Sequence, residues 1–448
     1  MDIQNITSRV DDAMPNVLKE LKEFVAIPSI SAAAFDQSKM DDSAQWIAQR
    51  VKDLGLEAQI IKLETESGLV GRPAILASRP AEPGKPTILL YAHHDVQPVG
   101  DEAEWESEPF VATEKDGRLY GRGTADDKAG VLVHLAAIEA ADPGVGIRLF
   151  IEGEEEIGSP TFADFLQIYR DQLEADVIVV ADSSNWNVGV PSLTTSLRGV
   201  VRLDVKVSVL DHALHSGFFG GPVLDAVVVA SRLISTLHDD EGNIAVAGLL
   251  QQDTTDVDYP EADFRRDAGM LDGVQLAGSG SITSRLWTKP SISVIGMDIT
   301  PVDIASNTII PSVDMLISMR VAPGQDALEA GEALAQHLRD HVPFGAQIEI
   351  SVAEAGSAFL AGESSEVTDI ARWALKEAWG GIDSVDIGQG GSIPFIADLA
   401  EAFPQAQILV TGIEDPDTRA HSANESLHIG DFRNAIAAEA LLLTRLGE

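Results

Sequence analysis

The amino-acid sequence predicts an α/β fold in which a larger domain, built on a mainly parallel central sheet flanked by helices, contains a smaller inserted domain. Helical and strand-like patterns alternate along roughly the first 190 residues, as they do in sheets covered by helices. Four short segments are almost entirely apolar, which is typical of central strands buried on both faces. These segments are residues 88–92, 147–151, 177–181 and 408–410.

The first part of the chain shows the periodicity of helices. Apolar residues at spacings of three and four predict one helix over residues 10–25 and a second over residues 44–54, which leads into a strand at 57–61. The same alternation returns near the C-terminus. We therefore expect the larger domain to comprise residues 1–197 and 357–448.

The smaller domain, residues 198–356, shows a different order of elements. Its pattern is β-α-β-β-α-β, a compact supersecondary unit. Residues 239–284, inside this unit, are rich in Asp, Gly and Gln and are expected to form an irregular excursion. The predicted elements are strands at 200–209, 291–297, 313–321 and 347–352 and helices at 224–237 and 327–341.

The charge balance excludes two classes of partner. Lys and Arg number 31 and Asp and Glu number 71, so the formal net charge is −40 at pH 7. A surface dominated by carboxylates repels phosphates and anionic lipid headgroups, so neither nucleic acid nor a membrane is an expected partner. The chain is nevertheless 45% hydrophobic, which favours folded domains over disorder.

The sequence contains no cysteine, and this restricts the chemistry further. No disulfide, thiolate nucleophile or thiolate ligand is possible, so any metal ion must be held by histidine and carboxylate. The N-terminus lacks a basic region followed by an apolar stretch, and no apolar run approaches the ~20 residues of a transmembrane helix. We therefore expect a soluble cytoplasmic protein.

Titratable side chains follow the predicted central strands. His93 and Asp95 end the first apolar run, residues 152–156 (EGEEE) follow the second, and Asp182 follows the third. Sites in open α/β sheets gather at the carboxyl ends of strands, so we expect these side chains to converge with His421, which follows the fourth run. Considered singly, each feature also has an ordinary explanation. His93 could be a structural histidine, residues 152–156 a solvated acidic run, and Asp182 a turn residue.

Residues 121–128 (GRGTADDK) precede an apolar helix and superficially suggest a phosphate-binding loop. The segment lacks the Gly-Lys-Ser/Thr ending, and the carboxylates of Asp126 and Asp127 would repel a phosphate. A carboxylate that binds a cation fits better, and capping of the helix is the alternative for Asp126.

Four sequence blocks together resemble the M20 family of dinuclear metallopeptidases and occur in the family's order. The resemblance covers essentially the whole chain and is closest to the dipeptidase branch that includes carnosinase-like and cytosolic nonspecific dipeptidases. The blocks are YAHHDVQP at 91–98, LYGRGTADDK at 119–128, EGEEEIGS at 152–159 and AHSANE at 420–425.

This resemblance implies a site for two divalent metal ions per subunit. Asp126 would bridge the ions, Glu155 would be the general base, and Asp95 would orient a ligand histidine. The ions would be Zn²⁺, with Mn²⁺ or Co²⁺ as alternatives, because His and carboxylate ligands suit each of them. The remaining ligands would be His93 and Asp182 for one ion and Glu156 and His421 for the other.

The resemblance extends to residues that would bind substrate. In DHALHSG at 211–217 it implies that His215 stabilises the developing oxyanion, whereas an ordinary loop histidine is the alternative. Arg320 would bind the free α-carboxylate of a peptide, unless it pairs with a surface carboxylate. The other implied substrate contacts are Thr308, Gly391 and Ser392.

The implied activity is hydrolysis of short peptides with a free C-terminal carboxylate, through a water shared by the metal ions and a Glu base. An N-acyl amino acid amidohydrolase of the same family is the alternative. Thr308 favours the dipeptidase, because deacylase branches usually carry Asn at that position. A noncatalytic binding protein on the same fold would be expected to lack Glu155 or a ligand, and all are present.

The resemblance also implies an assembly. If His215 serves a neighbouring subunit, the smaller domain is a lid that joins two chains in a symmetric homodimer. The strand at 200–209 is predicted to lie at a sheet edge available for pairing. His94 and Gln389 depart from the family pattern, which usually has an apolar residue and Glu at these positions, and no role follows for either.

Overall fold

The structure, a computed structural model, describes residues 2–141, 144–253, 255, 257–362, 364–391 and 394–448, apart from the side chain of Pro394. It divides into two compact units. The first contains Met1–Thr195, Ala361–Ile387 and Asp398–Glu448, and the second contains Ser196–Leu360 and Gly388–Ala397. The sequence-based boundaries at 198 and 356 fall near these limits, but the segment 388–397 was not expected in the smaller unit.

Helices occur in both units of the described chain. The α-helices are α1 (Ile3–Val25), α2 (Ser38–Asp53), α3 (Lys128–Ala140), α4 (Phe162–Ile168), α5 (Arg170–Leu173), α6 (Ser216–Phe219), α7 (Ala226–Ile234), α8 (Glu261–Asp267), α9 (Ile282–Trp287), α10 (Ala327–His341), α11 (Glu366–Ala378), α12 (Pro394–Ala402) and α13 (Ile429–Leu446). Short 3-10 helices cover Glu102–Glu104, Glu155–Ile157, Ser235–Leu237, Val302–Ile304 and Pro343–Gly345.

Strands alternate with these helices, as the sequence predicts for an α/β fold. They are β1 (Glu57–Ile61), β2 (Ala74–Arg79), β3 (Thr87–His93), β4 (Thr113–Lys115), β5 (Arg118–Tyr120), β6 (Gly146–Glu152), β7 (Val177–Val180), β8 (Ser192–Leu197), β9 (Gly199–Ser208), β10 (Leu214–His215), β11 (Ser291–Met297), β12 (Thr308–Ile309), β13 (Ser312–Val321), β14 (Gln347–Gly356), β15 (Phe359–Leu360), β16 (Val385–Gln389), β17 (Gln407–Val410) and β18 (Ser426–His428).

A six-stranded sheet forms the centre of the first unit, in the order β1-β2-β6-β3-β7-β17. The strands β6, β3, β7 and β17 run parallel, whereas β1 and β2 pair antiparallel. The predicted α/β fold is therefore confirmed. The segment 408–410 differs from the prediction of a central strand, because β17 lies at the edge of the sheet and Ile408 is only partly buried.

Both faces of the central strands are covered, which explains why these strands are apolar throughout. Ile88 and Leu90 of β3 join the core that contains residues of α1, α3, α11 and α13. Tyr91 projects to the other face, because side chains alternate along a strand. There it meets Phe150 and Phe162 in an aromatic cluster, with ring centroids 5.5 and 6.5 Å from that of Tyr91.

The helix α3 is buried on nearly all sides. Its sequence is apolar all round, as expected for a helix enclosed within a large core, and it packs against α1, α13 and β3. Such packing fixes the N-terminus of α3 firmly. The residues just before it, Asp126 and Asp127, are therefore held at a rigid position.

The second unit contains a four-stranded antiparallel sheet in the order β11-β13-β9-β14, with α7 and α10 packed against it. Val201, Leu203 and Val205 of β9 lie in the shared core with these helices. The prediction that the strand at 200–209 lies at a sheet edge is wrong, because β9 pairs with β13 on one side and β14 on the other. The edges are β11 and β14.

Within the described part of the chain, none of the helices combines the length and the apolar character that a membrane span requires.

Candidate metal centre

Three strands and two loops bring acidic side chains and two histidines to one region of the first unit. His93 is the last residue of β3, Asp182 lies two residues beyond β7, and Glu156 lies in the 3-10 turn that follows β6. Asp126 precedes α3. His421 comes from the loop between β17 and β18 and has a positive φ of 63°.

These side chains form two groups that share Asp126. In the first, Nε2 of His93 lies 3.1 Å from Oδ1 of Asp126 and 3.8 Å from Oδ1 of Asp182. In the second, Nε2 of His421 lies 2.9 Å from Oδ2 of Asp126 and 3.3 Å from Oε2 of Glu156. Each group places its potential ligand atoms within 4.8 Å of one another, and each uses a different oxygen of Asp126.

The chemistry of these donors fits two divalent cations. Imidazole and carboxylate are ligands for Zn²⁺, Mn²⁺ and Co²⁺, and a carboxylate that turns one oxygen toward each group is suited to bridging. Burial, followed by the charge of Asp126, raises the pKa of Glu156 to about 7. A cation would offset this repulsion among carboxylates held close together.

Glu155 precedes Glu156 in the 3-10 turn and belongs to neither group. Burial raises the pKa of its carboxyl well above the ordinary value, and the negative charges of Asp182 and Glu156 act in the same direction. A carboxylate with a raised pKa is a stronger base than an exposed one. Glu155 is therefore suited to proton transfer and is not among the potential metal ligands.

Asp95 connects the end of β3 with the acidic turn. Its fully buried carboxylate accepts hydrogen bonds from the backbone N–H of Glu155 at 3.2 Å and of Glu156 at 3.0 Å. Nδ1 of His93 lies 3.1 Å from the carbonyl oxygen of Asp95 and 3.4 Å from its Oδ1. Gln97, which the sequence analysis did not single out, donates from Nε2 to Oε2 of Glu156 at 2.7 Å.

Glu425 is a second supporting residue that the sequence analysis did not identify. Its carboxylate accepts hydrogen bonds from the backbone N–H groups of Gly123, Ala125 and Asp126 at 3.0–3.2 Å. It also accepts from Nη1 of Arg122 at 2.6 Å, in a buried ion pair. The only sequence signal was its place four residues after His421, in the same block.

His94 points away from the side chain of His93, as alternation along an extended chain requires. Its Nε2 lies 2.7 Å from the carbonyl oxygen of Pro73 and its Nδ1 lies 2.8 Å from Oγ of Ser43. Burial lowers its pKa to about 4, so the ring is neutral at pH 7. It links α2 and the segment before β2 to the strand that carries His93.

In the second unit, His215 and Thr308 face each other across the β10–β12 pair. The backbone N–H of Gly217 donates to Nδ1 of His215 at 3.0 Å, and the ring of Phe218 lies 4.7 Å from the His215 ring. The His215 side chain is exposed.

Arg320, Gly391 and Ser392 are the other residues predicted to bind substrate. Arg320 is on β13, opposite Val200 and Ser291, and its pKa is lowered by burial and by the charge of Arg202. Gly391 is exposed, with open space where a side chain would project. Ser392 lies outside the described residues.

A comparison with protein families matches residues 89–445 to the model described as peptidase family M20/M25/M40. That range contains both ligand groups, Glu155 and the entire second unit.

Individual relatives cover nearly the whole chain. A cysteinylglycine-S-conjugate dipeptidase from Corynebacterium striatum is 31% identical over 440 residues, which are 96% of each chain. A beta-Ala-His dipeptidase from Rattus norvegicus is 26% identical, covering 95% of this chain and 92% of the relative. The solved structure of the di-peptidase Dug1p from Saccharomyces cerevisiae superposes with a TM-score of 0.81 at 22% identity, covering 100% of this chain and 98% of Dug1p.

Proposed function

This chain belongs to peptidase family M20/M25/M40, and we propose that it is a metal-dependent dipeptidase acting on short peptides with a free C-terminal carboxylate. The observation that carries the proposal is the pair of ligand groups joined by Asp126, with Glu155 next to them but free of either group. The dipeptidase names of the relatives, which match along almost the whole chain, support the choice of substrate.

In this proposal His93, Asp126 and Asp182 hold one divalent ion, and Asp126, Glu156 and His421 hold the other. Two such ions, when bound, lower the pKa of a water molecule and polarise the carbonyl of the scissile bond. The Glu155 carboxylate accepts the proton of the attacking water and returns it to the leaving amine. Asp95 keeps Glu155 in place, because it holds the backbone of the turn that carries this base.

His215 supplies a hydrogen bond to the developing oxyanion. Its Nδ1 accepts from the N–H of Gly217, so the neutral ring carries its proton on Nε2. That N–H is then available as a donor to the negative charge that forms on the scissile carbonyl oxygen. Thr308 and Arg320, with Gly391 and Ser392, contact the substrate in this scheme.

We further propose that His215 acts in a homodimer. The segments around the β10–β12 pair expose large apolar side chains: Phe218 is 81% exposed and Val302 is 93% exposed, and Phe219 and Ile304 are exposed as well. Exposed apolar groups of this kind mark interaction surfaces. A second copy that covers them would bring His215 to the metal centre of its partner.

Substrate choice is tested with a panel of dipeptides and N-acetyl amino acids, using enzyme loaded in turn with Zn²⁺, Mn²⁺ and Co²⁺. We expect the dipeptides to be hydrolysed with the higher kcat/KM. A higher kcat/KM for the N-acetyl amino acids, with any of the three metal ions, would identify an amidohydrolase instead. The same panel ranks the three ions.

The dimer is tested by mixing two inactive variants, His215→Ala and Glu155→Gln. In a mixed dimer, one site combines the intact metal centre of the first variant with the intact His215 of the second. Activity is therefore expected to return in proportion to the mixed population. If His215 acts within its own chain, every site carries one defect, and no activity returns after subunit exchange has been demonstrated.

A further inference from the structure

Arg198 lies between β8 and β9 and is 7% exposed. It holds the last residue of β16 and the residue that follows it. Its backbone N–H donates to the carbonyl of Gln389 at 3.2 Å, and its Nε donates to the carbonyl of Gly390 at 3.2 Å. One arginine therefore fixes the backbone immediately before Gly391, which is one of the proposed substrate contacts.

The guanidinium of Arg198 has only neutral acceptors. Its Nη1 donates to the carbonyls of Arg285 and Lys289, at 3.4 and 3.2 Å, and to Oγ of Ser291 at 3.2 Å. No carboxylate among the described residues forms an ion pair with it. A buried charge without a counter-ion is unfavourable, so this position favours binding of an anion.

A second cation lies close by. Ser291, which accepts from Arg198, is directly opposite Arg320 in the β11–β13 pair. Burial, and then the positive charge of Arg320, lowers the pKa of Arg198 to about 10, so Arg198 is charged at pH 7. The two charges create a local positive potential in a protein whose net charge is −40.

We propose that Arg198 is a positioning residue for the C-terminal carboxylate of the substrate. It fixes the backbone at Gly390 and adds a second positive charge beside Arg320. The space beside Gly391 is open, so an anion can approach the backbone there. This inference rests on the proposed dipeptidase function and adds Arg198 to the residues through which the enzyme recognises the C-terminal carboxylate.

The test compares alanylglycine with alanylglycinamide, which lacks the carboxylate charge. Arg198→Lys keeps the positive charge but lacks the Nε and Nη1 donors of the guanidinium. Arg198→Gln loses the charge. Both are expected to raise KM for alanylglycine by about 10- to 100-fold, the loss expected for hydrogen bonds involving a charged group. The kcat values and the KM for the amide should stay unchanged. Equal effects on acid and amide, or no effect, would overturn the proposal.

Arg202→Lys is the matched control. Arg202 lies on β9 and its charge is paired with Glu354 at 2.6 Å, so exchange for lysine keeps that charge near Arg320 and should leave KM for both compounds unchanged. Gly390→Ala tests the proposal if the Arg198 variants do not fold. Its Cβ would lie 2.8 Å from Nη2 of Arg198 and displace it, so the same selective rise in KM is expected. A rise that is equal for acid and amide contradicts the proposal.

A binding measurement separates this inference from the proposed function. The probe is alanylglycine with its peptide bond reduced to CH2–NH, studied by calorimetry next to its amide. Arg198→Lys should weaken binding of the acid only. If the wild-type enzyme hydrolyses no dipeptide but shows this difference, the proposed function fails and the inference stands; unselective binding overturns the inference alone.

Discussion

Glu155→Gln is expected to leave the metal content unchanged and to lower kcat for dipeptides by about 10²–10⁴-fold, the range typical of losing a general base. The amide has nearly the shape of the carboxylate but cannot accept the proton of the attacking water. Glu155 belongs to neither ligand group, and its backbone hydrogen bond to Asp95 does not involve the altered side chain. Steady-state kinetics and elemental analysis of the same preparation measure both effects.

A substitution of the next residue, Glu156, provides the comparison for Glu155→Gln. Glu156→Gln removes a ligand of the second group, so it should lower metal content as well as turnover. Both variants change a Glu to Gln in the same turn, which makes the comparison close. Wild-type turnover in Glu155→Gln would assign the base to another residue, and loss of metal in that variant would make Glu155 a ligand.

Removal of divalent metal is expected to abolish hydrolysis and addition of Zn²⁺, Mn²⁺ or Co²⁺ to restore it. Carboxylates and imidazoles converge in both groups, and without a cation the attacking water keeps its ordinary pKa and the scissile carbonyl loses the polarisation that a metal ion supplies. The measurement is dipeptide hydrolysis before chelation, after dialysis against a chelator, and after reconstitution. Full activity in enzyme shown by elemental analysis to be metal-free contradicts the proposal.

A single substitution should remove one of the two proposed ions and leave the other bound. The His421 side chain is 57% exposed, so His421→Ala removes a ligand of the second group with little loss of packing. The expected metal content is one tightly held ion per chain instead of two. An unchanged content of two would mean that His421 is not a ligand.

The sequence predicted the buried strands of the first unit well, because a strand that is covered on both faces consists mostly of apolar residues. β3, β6 and β7 are apolar at almost every position. It did not predict which strands lie at edges. β9 alternates between buried and more exposed residues, as strands with one solvent face do, and that pattern is the same whether one or two neighbours pair with its backbone.

The candidate ligands could be predicted from the sequence because histidine and carboxylate are the residue types that bind divalent metal ions, and the structure brings them together in two groups. The supporting residues carry no such signature. Glu425 and Arg122 look like an ordinary ion pair, and Arg198 looks like any arginine between two strands. What distinguishes them is contact with backbone groups far away in sequence, such as Glu425 with Gly123, and composition does not record such contacts.

The bonds from Glu425 to the backbone before α3 join parts of the chain that the ribosome makes at very different times. Asp126 is synthesised roughly 300 residues before Glu425, an interval of roughly 15–60 s at 5–20 residues per second. For most of that interval the growing polypeptide has His93, Asp126 and Asp182 but no His421, and the loop before α3 lacks its anchoring carboxylate. All five potential ligands are therefore present only after residue 421 has been added, and the loop before α3 gains its anchoring carboxylate four residues later.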